Sequence, residues 1–180
     1  KLFKSDYKGK YIDLGCFHPT RSNNTLKLHR KGWSGMNIDL NPLTIDLFNF
    51  ARPKDINVCA AISNKKVKKK LYFLGDLDSK NTLNLNHKKW LSKHFRIKNQ
   101  DFKIKEVHTK KLSDILKKYN FHEVDFMNID IEGHELEVLE SINLKKFKIK
   151  VICIEILNYD IFTNNRKKKL ISFFKKNRYI

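Results

Sequence analysis

The sequence predicts an α/β domain on a mainly parallel, twisted sheet with helices on both faces, and three observations predict it. Short apolar runs alternate with amphipathic helical patterns along nearly the whole chain. Gly32 and the Asn41-Pro42 pair mark boundaries between them. Acids stand at the ends of the predicted strands, Asp13, Asp39 and Asp130 with Glu132 just behind, where an open α/β sheet gathers its ligand-binding groups.

The first strand is expected at residues 11–16. Ser22 offers a cap for a helix running to about residue 31, Gly32 ends it, and a second strand follows at 34–40. Asn41 then caps a helix with Pro42 at its first position and Leu43, Leu47 and Phe48 as its inward face. A third strand is expected at 56–62, a basic turn at 65–70 and a short strand at 71–74. Trp90, Leu91, His94 and Phe95 mark a helix face, and residues 104–107 read as an edge strand. Leu112, Ile115, Leu116 and Tyr119 keep amphipathic helical spacing. A fourth core strand at 124–131, a helix at 135–142 and a nearly continuous apolar strand at 151–157, expected to be buried on both faces, complete the sheet. A last helix covers about 166–177, and residues 178–180 read as the opening of a further strand, so the sheet is expected to be truncated at its C-terminal edge. No repeat or Pro/Gly/Ser linker divides the chain. One domain over residues 1–180, cut from something longer, is the expectation.

At 180 residues and 21.5 kDa, with 41% hydrophobic residues, the chain can bury a single core. No apolar run approaches the roughly 18 to 20 residues of a membrane-spanning helix. The three cysteines do not suggest a disulfide framework, and a reducing, cytoplasmic setting is expected. The formal charge of +19 prompts a search for nucleic-acid partners, but the surplus is 32 Lys against 6 Arg and is scattered. Arg is the residue that forks onto phosphate and guanine, so the composition argues for base reading less than its total suggests.

Four carboxylates at one sheet edge of so basic a chain suggest a cationic or hydroxyl-rich ligand. Asp39 follows Asp13 by 26 positions, near the separation at which a second-strand acid meets a ribose diol. After Gly15 the next glycine is Gly32, and Cys16, Phe17, His18 and Pro19 fill the turn where a dinucleotide fold needs glycines. An adenosyl donor with a sulfonium and an amino-acid tail fits better. Gly15 lets the chain pass near that tail, and Asp13 brings negative charge to its ammonium group.

Five stretches carry a family resemblance: Tyr-Ile-Asp-Leu-Gly-Cys-Phe-His-Pro-Thr (11–20), Ser-Asn-Asn-Thr (22–25), Gly-Trp-Ser-Gly (32–35), Asn-Ile-Asp-Leu-Asn-Pro (37–42) and Phe-Met-Asn-Ile-Asp-Ile-Glu-Gly-His-Glu (126–135). In this order, with Arg-Pro at 52–53, Ala-Ala-Ile-Ser at 60–63 and Cys-Ile-Glu-Ile at 153–156, the chain resembles the FkbM-type methyltransferases. The resemblance implies a class I, Rossmann-like methyltransferase fold using S-adenosylmethionine. It also implies that Asp13 and Gly15 hold the methionine end, that Asp39 holds the ribose, and that Leu40 and Ala60 flank the adenine. Cys16, Asn24 and Thr25 are further donor-side candidates, with ordering of the loop as the alternative for the last two. Family members mostly methylate oxygen on sugars, polyketides or other small molecules. His134 stands where the family often has a small residue, so no family role transfers to it.

Methyl transfer from a sulfonium needs the acceptor oxygen held in line and its proton removed. Asp130, Glu132 and His134 are the candidate bases, expected to alternate along an extended segment and so point one way. The same three are the candidate ligands of a divalent metal, should one bind the acceptor hydroxyl. Glu135 reads as a first-turn helix acid, and Glu155 as a buried strand residue needing a hydrogen-bond partner. O-methylation of a hydroxyl on a small molecule or glycan is the first expectation. RNA methylation along the lysine surface and a non-catalytic interaction domain are the alternatives.

Overall fold

A computed structural model describes residues 2–156 and 161–179, without the side chains of 161–164. Its main sheet comprises β1 (Lys10–Leu14), β2 (Ser34–Asp39), β3 (Ile56–Cys59), β7 (Phe126–Ile129) and β8 (Val151–Ile154). All four pairings are parallel, in the order β3-β2-β1-β7-β8. The chain steps outward from β1 through β2 to β3 and then returns to the other side of β1 with β7. The strand order therefore reverses between β1 and β7, the place where such sheets bind ligands at their carboxyl ends.

The pleat gives the sheet two unlike faces. Ile12 and Leu14 alternate with Tyr11 and Asp13, Met36 and Ile38 with Gly35 and Asn37, and Met127 and Ile129 with Asn128. The apolar set joins Leu112 and Leu116 of α4 (Leu112–Lys118), Val138 and Leu139 of α5 (Glu135–Glu140) and Leu170 of α6 (Ile161–Lys176) in one core. Each such side chain contributes about 1.5–3 kcal/mol by leaving water. The other set is polar yet buried, and a hydrogen-bond network satisfies it from the side of α2 (Pro42–Ala51).

In α2, Asn41 caps as expected, its side chain accepting from Leu43 N at 3.0 Å, with Pro42 in the first turn. Its inward face is Thr44, Ile45 and Phe48, whereas Leu43 is 42% exposed, because the i, i+1, i+4 stripe of Thr44, Ile45 and Phe48 leaves Leu43 at its edge. Ser22 does not cap α1 (Leu26–Arg30). It lies at φ +45°, and the helix begins after Thr25.

The expected third strand divides. β3 ends at Cys59, and β4 (Ala61–Ile62) leaves the main sheet to pair in parallel with β6 (Lys103–Lys110). β6 also pairs antiparallel with β5 (Lys68–Phe73), so it is the centre of a three-stranded sheet rather than an edge, and the expected basic turn is partly strand. α3 (Leu85–His94) follows β5 and buries Leu91 against Tyr72 and Phe102. β8 has only β7 as a neighbour among the described residues and is part-exposed, so it is not the doubly buried strand expected. Residue 157, at the end of that expectation, and residue 180 lie outside the described residues. At 178–179 the chain turns: Arg178 has φ +61°, and the Tyr179 hydroxyl donates to the carbonyl of Ile149.

Candidate active site

A cavity of about 300 Å³ opens at the carboxyl ends of the strands, beside the β1–β7 switch point. Asp13, Gly15, Cys16, Asn24, Asp39, Leu40 and Ala60 line it, as do Asp130, Glu132, His134 and Glu155. Of the expected donor-side residues only Thr25 is not in its wall.

Gly15 serves the backbone first. At φ +74°, a Cβ here would lie 1.7 Å from the carbonyl oxygen of Asp130, so the chain beyond β1 and the chain beyond β7 touch through this residue. Gly15 N and Cys16 N both donate to Ile38 O, at 2.9 and 3.4 Å, which ties the turn to β2 as well. Cys16 packs with Ile45 and Phe48, and burial pushes its thiol pKa up, keeping it neutral.

Asp13 is 1% exposed and hydrogen-bonded from three sides: by Thr25 Oγ1 at 2.7 Å, Asn128 Nδ2 at 2.9 Å and Asn23 Nδ2 at 3.0 Å. Burial pushes its carboxyl pKa up, while those bonds and the Arg52 charge hold it down. Of the roughly four acceptor positions on a carboxylate, one is left for a ligand. Thr25, fully buried behind Asp13, does not reach the cavity and acts by holding that carboxylate. Asn24 does line the cavity, and its Nδ2 donates to Asn128 Oδ1 at 3.2 Å.

Arg52 closes this network. Its guanidinium, 1% exposed and stacked on Phe48, donates to Tyr11 Oη and Thr25 Oγ1 at 3.1 Å, Asn23 Oδ1 at 2.7 Å and Pro19 O at 2.6 Å. Tyr11 in turn donates to Asp55 at 2.6 Å, and Asp55 accepts from Gly35 N at 2.9 Å. One buried cation thus pins residues 19–25 to the polar face of the sheet. Its only mark in the sequence is an Arg-Pro pair at the end of a helix.

Asp39, at the end of β2, accepts from Asn41 N at 2.8 Å and Phe17 N at 3.1 Å. Burial raises its pKa to about 6 despite these bonds. Ala60 N donates to the carbonyl of Asp39 at 2.8 Å, so Ala60 lies directly beside it on the bend between β3 and β4. Leu40, Ala60, Ala61 and Ile62 form an apolar stretch of the wall beside Asp39.

The expected set of Asp130, Glu132 and His134 is rearranged. Glu132 has φ +54°, so the segment turns and its side chains do not alternate. A Glu132 carboxylate oxygen lies 2.9 Å from His87 Nε2. His134 is 4% exposed, and its Nε2 faces Lys69 Nζ and Ser63 Oγ, each at 3.0 Å. An ammonium only donates, so Nε2 is the accepting nitrogen and the ring proton sits on Nδ1. Burial lowers the His134 pKa to about 4. The ring is neutral at pH 7, but its lone pair is already engaged.

Carboxylate oxygens of Asp130, Glu132 and Glu155 lie within 4.8 Å of one another, an all-oxygen set of the kind hard divalent cations use. Of the expected metal set, Asp130 and Glu132 belong to this group, whereas His134, also in the cavity wall, has its Nε2 engaged by Lys69 and Ser63. Asp130 and Glu155 are hydrogen-bonded, and burial raises their pKa values to about 6 and about 8. Glu155 lies at an exposed strand end rather than in a buried strand. Its proximity to Asp130 follows from the β7–β8 register, which sets Ile129 beside Ile154.

Residues between β5 and α3 support the same turn. Thr82 Oγ1 donates to Glu132 O at 2.7 Å, and Asn84 Nδ2 donates to Gly133 O. Glu135 is structural: it accepts from Gly133 N at 2.8 Å and pairs with Arg166 at 3.2 Å. Neither His87 nor Asn84 belongs to a spacing that reveals its partner.

The family model for the FkbM methyltransferase domain matches residues 9–180. Searches of curated proteins and of solved structures each gave no match. A match over nearly the full length, on a sheet whose strand order reverses beside an acid-lined cavity, leaves one assignment: the chain belongs to the FkbM methyltransferase family.

Proposed function

We propose that the chain transfers a methyl group from S-adenosylmethionine to a hydroxyl oxygen of a small molecule or glycan in the cytoplasm. The observation that carries this reading is the cavity at the switch point, walled by carboxylates in a chain of net charge +19. The donor combines a cationic end, a ribose diol and a flat adenine. Asp13 keeps one acceptor position for the ammonium of its tail, Asp39 presents a carboxylate to the diol, and Leu40, Ala60 and Ile62 give an apolar surface for the ring. When bound, it supplies an electrophilic methyl on a sulfonium.

The chain's own residues then orient the acceptor and take up its proton. Asp130 is the base this reading favours. Burial and the neighbouring carboxylates push both carboxyls of the hydrogen-bonded Asp130–Glu155 pair above the ordinary range, so the pair is suited to share a proton, and Asp130 is its member on the main strand end beside the donor site. Such a base contributes typically a hundredfold or more to the transfer.

The RNA reading predicts lysines at the cavity mouth. Among the described residues the cavity wall contains neither Lys nor Arg, and its acids repel a phosphate backbone. The cytoplasmic part of the proposal is supported by three free cysteines, two of them exposed.

Calorimetry with S-adenosylhomocysteine tests the reading. Binding that is lost in Asp39→Ala supports it. No binding in the wild-type chain supports instead a non-catalytic interaction domain.

A further inference from the structure

The cavity has a second wall. Leu77, Asp78, Ser79, Asn81 and Leu83, from the segment between β5 and α3, line it along with the strand ends. The segment is held at both ends. Tyr72 and Thr82 exchange backbone hydrogen bonds at 2.9 and 3.1 Å, and Thr82 Oγ1 bonds Glu132 O. Asn81 crosses the base of the loop, accepting from Leu74 N and donating to Gly75 O, both at 2.8 Å. The loop is therefore a preformed surface, as orienting groups require.

Its charge is one-sided. Among the described residues Asp78 joins Asp13, Asp39, Asp130, Glu132 and Glu155 in the cavity wall, six acids in a wall without Lys or Arg, although the chain holds 38 basic residues. Asp78 Oδ1 accepts from Lys80 N at 2.9 Å, which fixes the carboxylate on the loop. Lys80 Nζ, 3.6 Å from the same oxygen, is itself about a third exposed and screens the charge only weakly.

We infer that this segment is the acceptor-recognition wall, that it admits polyhydroxylated acceptors that are neutral or amine-bearing while rejecting phosphorylated and carboxylated ones, and that Asp78 is a specificity-determining residue there. The inference rests on the methyltransferase reading above and narrows its substrate class. Hydroxyls donate to Asp78, and Ser79 and Asn81 supply further polar contacts. An acceptor anion meets several like charges at once in a partly enclosed site, and like-charge juxtaposition is the usual device for rejecting a wrong partner.

The test measures transfer of radiolabelled methyl to the methyl glycosides of glucose, galactose, mannose and glucosamine, each beside its 6-phosphate and its uronic acid. Expected is transfer to at least one neutral or amine-bearing member, with kcat/KM at least about tenfold above its anionic counterparts. In Asp78→Lys that ratio falls by about tenfold while S-adenosylhomocysteine still binds, and Asp78→Asn lies between. Equal or better transfer to the anionic members, an unchanged ratio in Asp78→Lys, or donor-product binding with no transfer to any neutral or amine-bearing member overturns the inference. Failure of the wild-type chain to bind S-adenosylhomocysteine overturns the methyltransferase reading instead.

Discussion

Gly15 and the carbonyl of Asp130 are in van der Waals contact across the switch point, with no room for even a methyl group on Gly15. The contact joins the two halves of the sheet where the cavity begins. Glycine is required there twice, by φ +74° and by the neighbouring carbonyl. Gly15→Ala is expected to destabilise the fold by about 3 kcal/mol or more, read as a shift in the urea midpoint. Gly75→Ala is the control, since nothing lies within 4 Å of a Cβ built there. Equal midpoints for the two variants would show that the two turns separate more easily than the geometry implies.

Arg52→Met removes a buried cation and takes its guanidinium donors from Pro19 O, Asn23 Oδ1, Tyr11 Oη and Thr25 Oγ1. The expected cost is about 3–5 kcal/mol, because breaking one side of a buried charged network strands the other. Donor-product binding should weaken as well, because residues 19–25 lose their anchor and Asp13 loses the cation that favours its ionised form. Denaturation and calorimetry on the same preparation check both effects. A stable Arg52→Met protein with unchanged affinity rules out the anchoring role.

What was legible in the sequence was the periodic part. Apolar runs located β1, β2, β7 and α4, and the acids at strand ends marked the cavity, because both depend on local spacing. Partners brought in by non-local register were not legible. Glu155 reaches Asp130 through the β7–β8 pairing, and β6 becomes central because β4 leaves the main sheet to join it. Glu132 was expected to continue an alternating strand, but it takes a left-handed conformation held by Thr82 and Asn84 from the β5–α3 segment. Thr25 and Arg52 sit on the polar face of a sheet buried on both sides, where burial follows from hydrogen-bond satisfaction rather than hydropathy.

The raised pKa of Asp39, about 6 against an ordinary 3.8, has two consequences of opposite sign. In the free protein the folded state holds its proton more tightly than the unfolded chain, so this group's contribution to stability falls as pH rises from about 4 to about 6. A ligand whose hydroxyls donate to the ionised carboxylate reverses that preference. Affinity for S-adenosylhomocysteine is therefore expected to drop as pH falls below about 6, approaching tenfold per unit for a single proton. Asp130 titrates in the same range, so Asp39→Asn is the discriminating variant. It should bind more weakly at pH 7.5 and lose most of the pH dependence. A profile with the wild-type slope would remove Asp39 from the ribose.

His134 and Asp130 line the same cavity as candidate bases but in different surroundings: the His134 Nε2 is engaged by Lys69 and Ser63, whereas Asp130 is hydrogen-bonded to Glu155. Asp130→Asn should lower kcat by about a hundredfold or more, the usual contribution of a general base, while donor-product affinity is retained. His134→Gln keeps a polar group beside Lys69 and should leave kcat near the wild-type value, with any loss appearing in thermal stability. The pH–rate profile of His134→Gln supplies the decisive comparison. If its acidic-limb pKa vanishes while that of Asp130→Asn persists, the imidazole is the base and must turn out of its pocket to act.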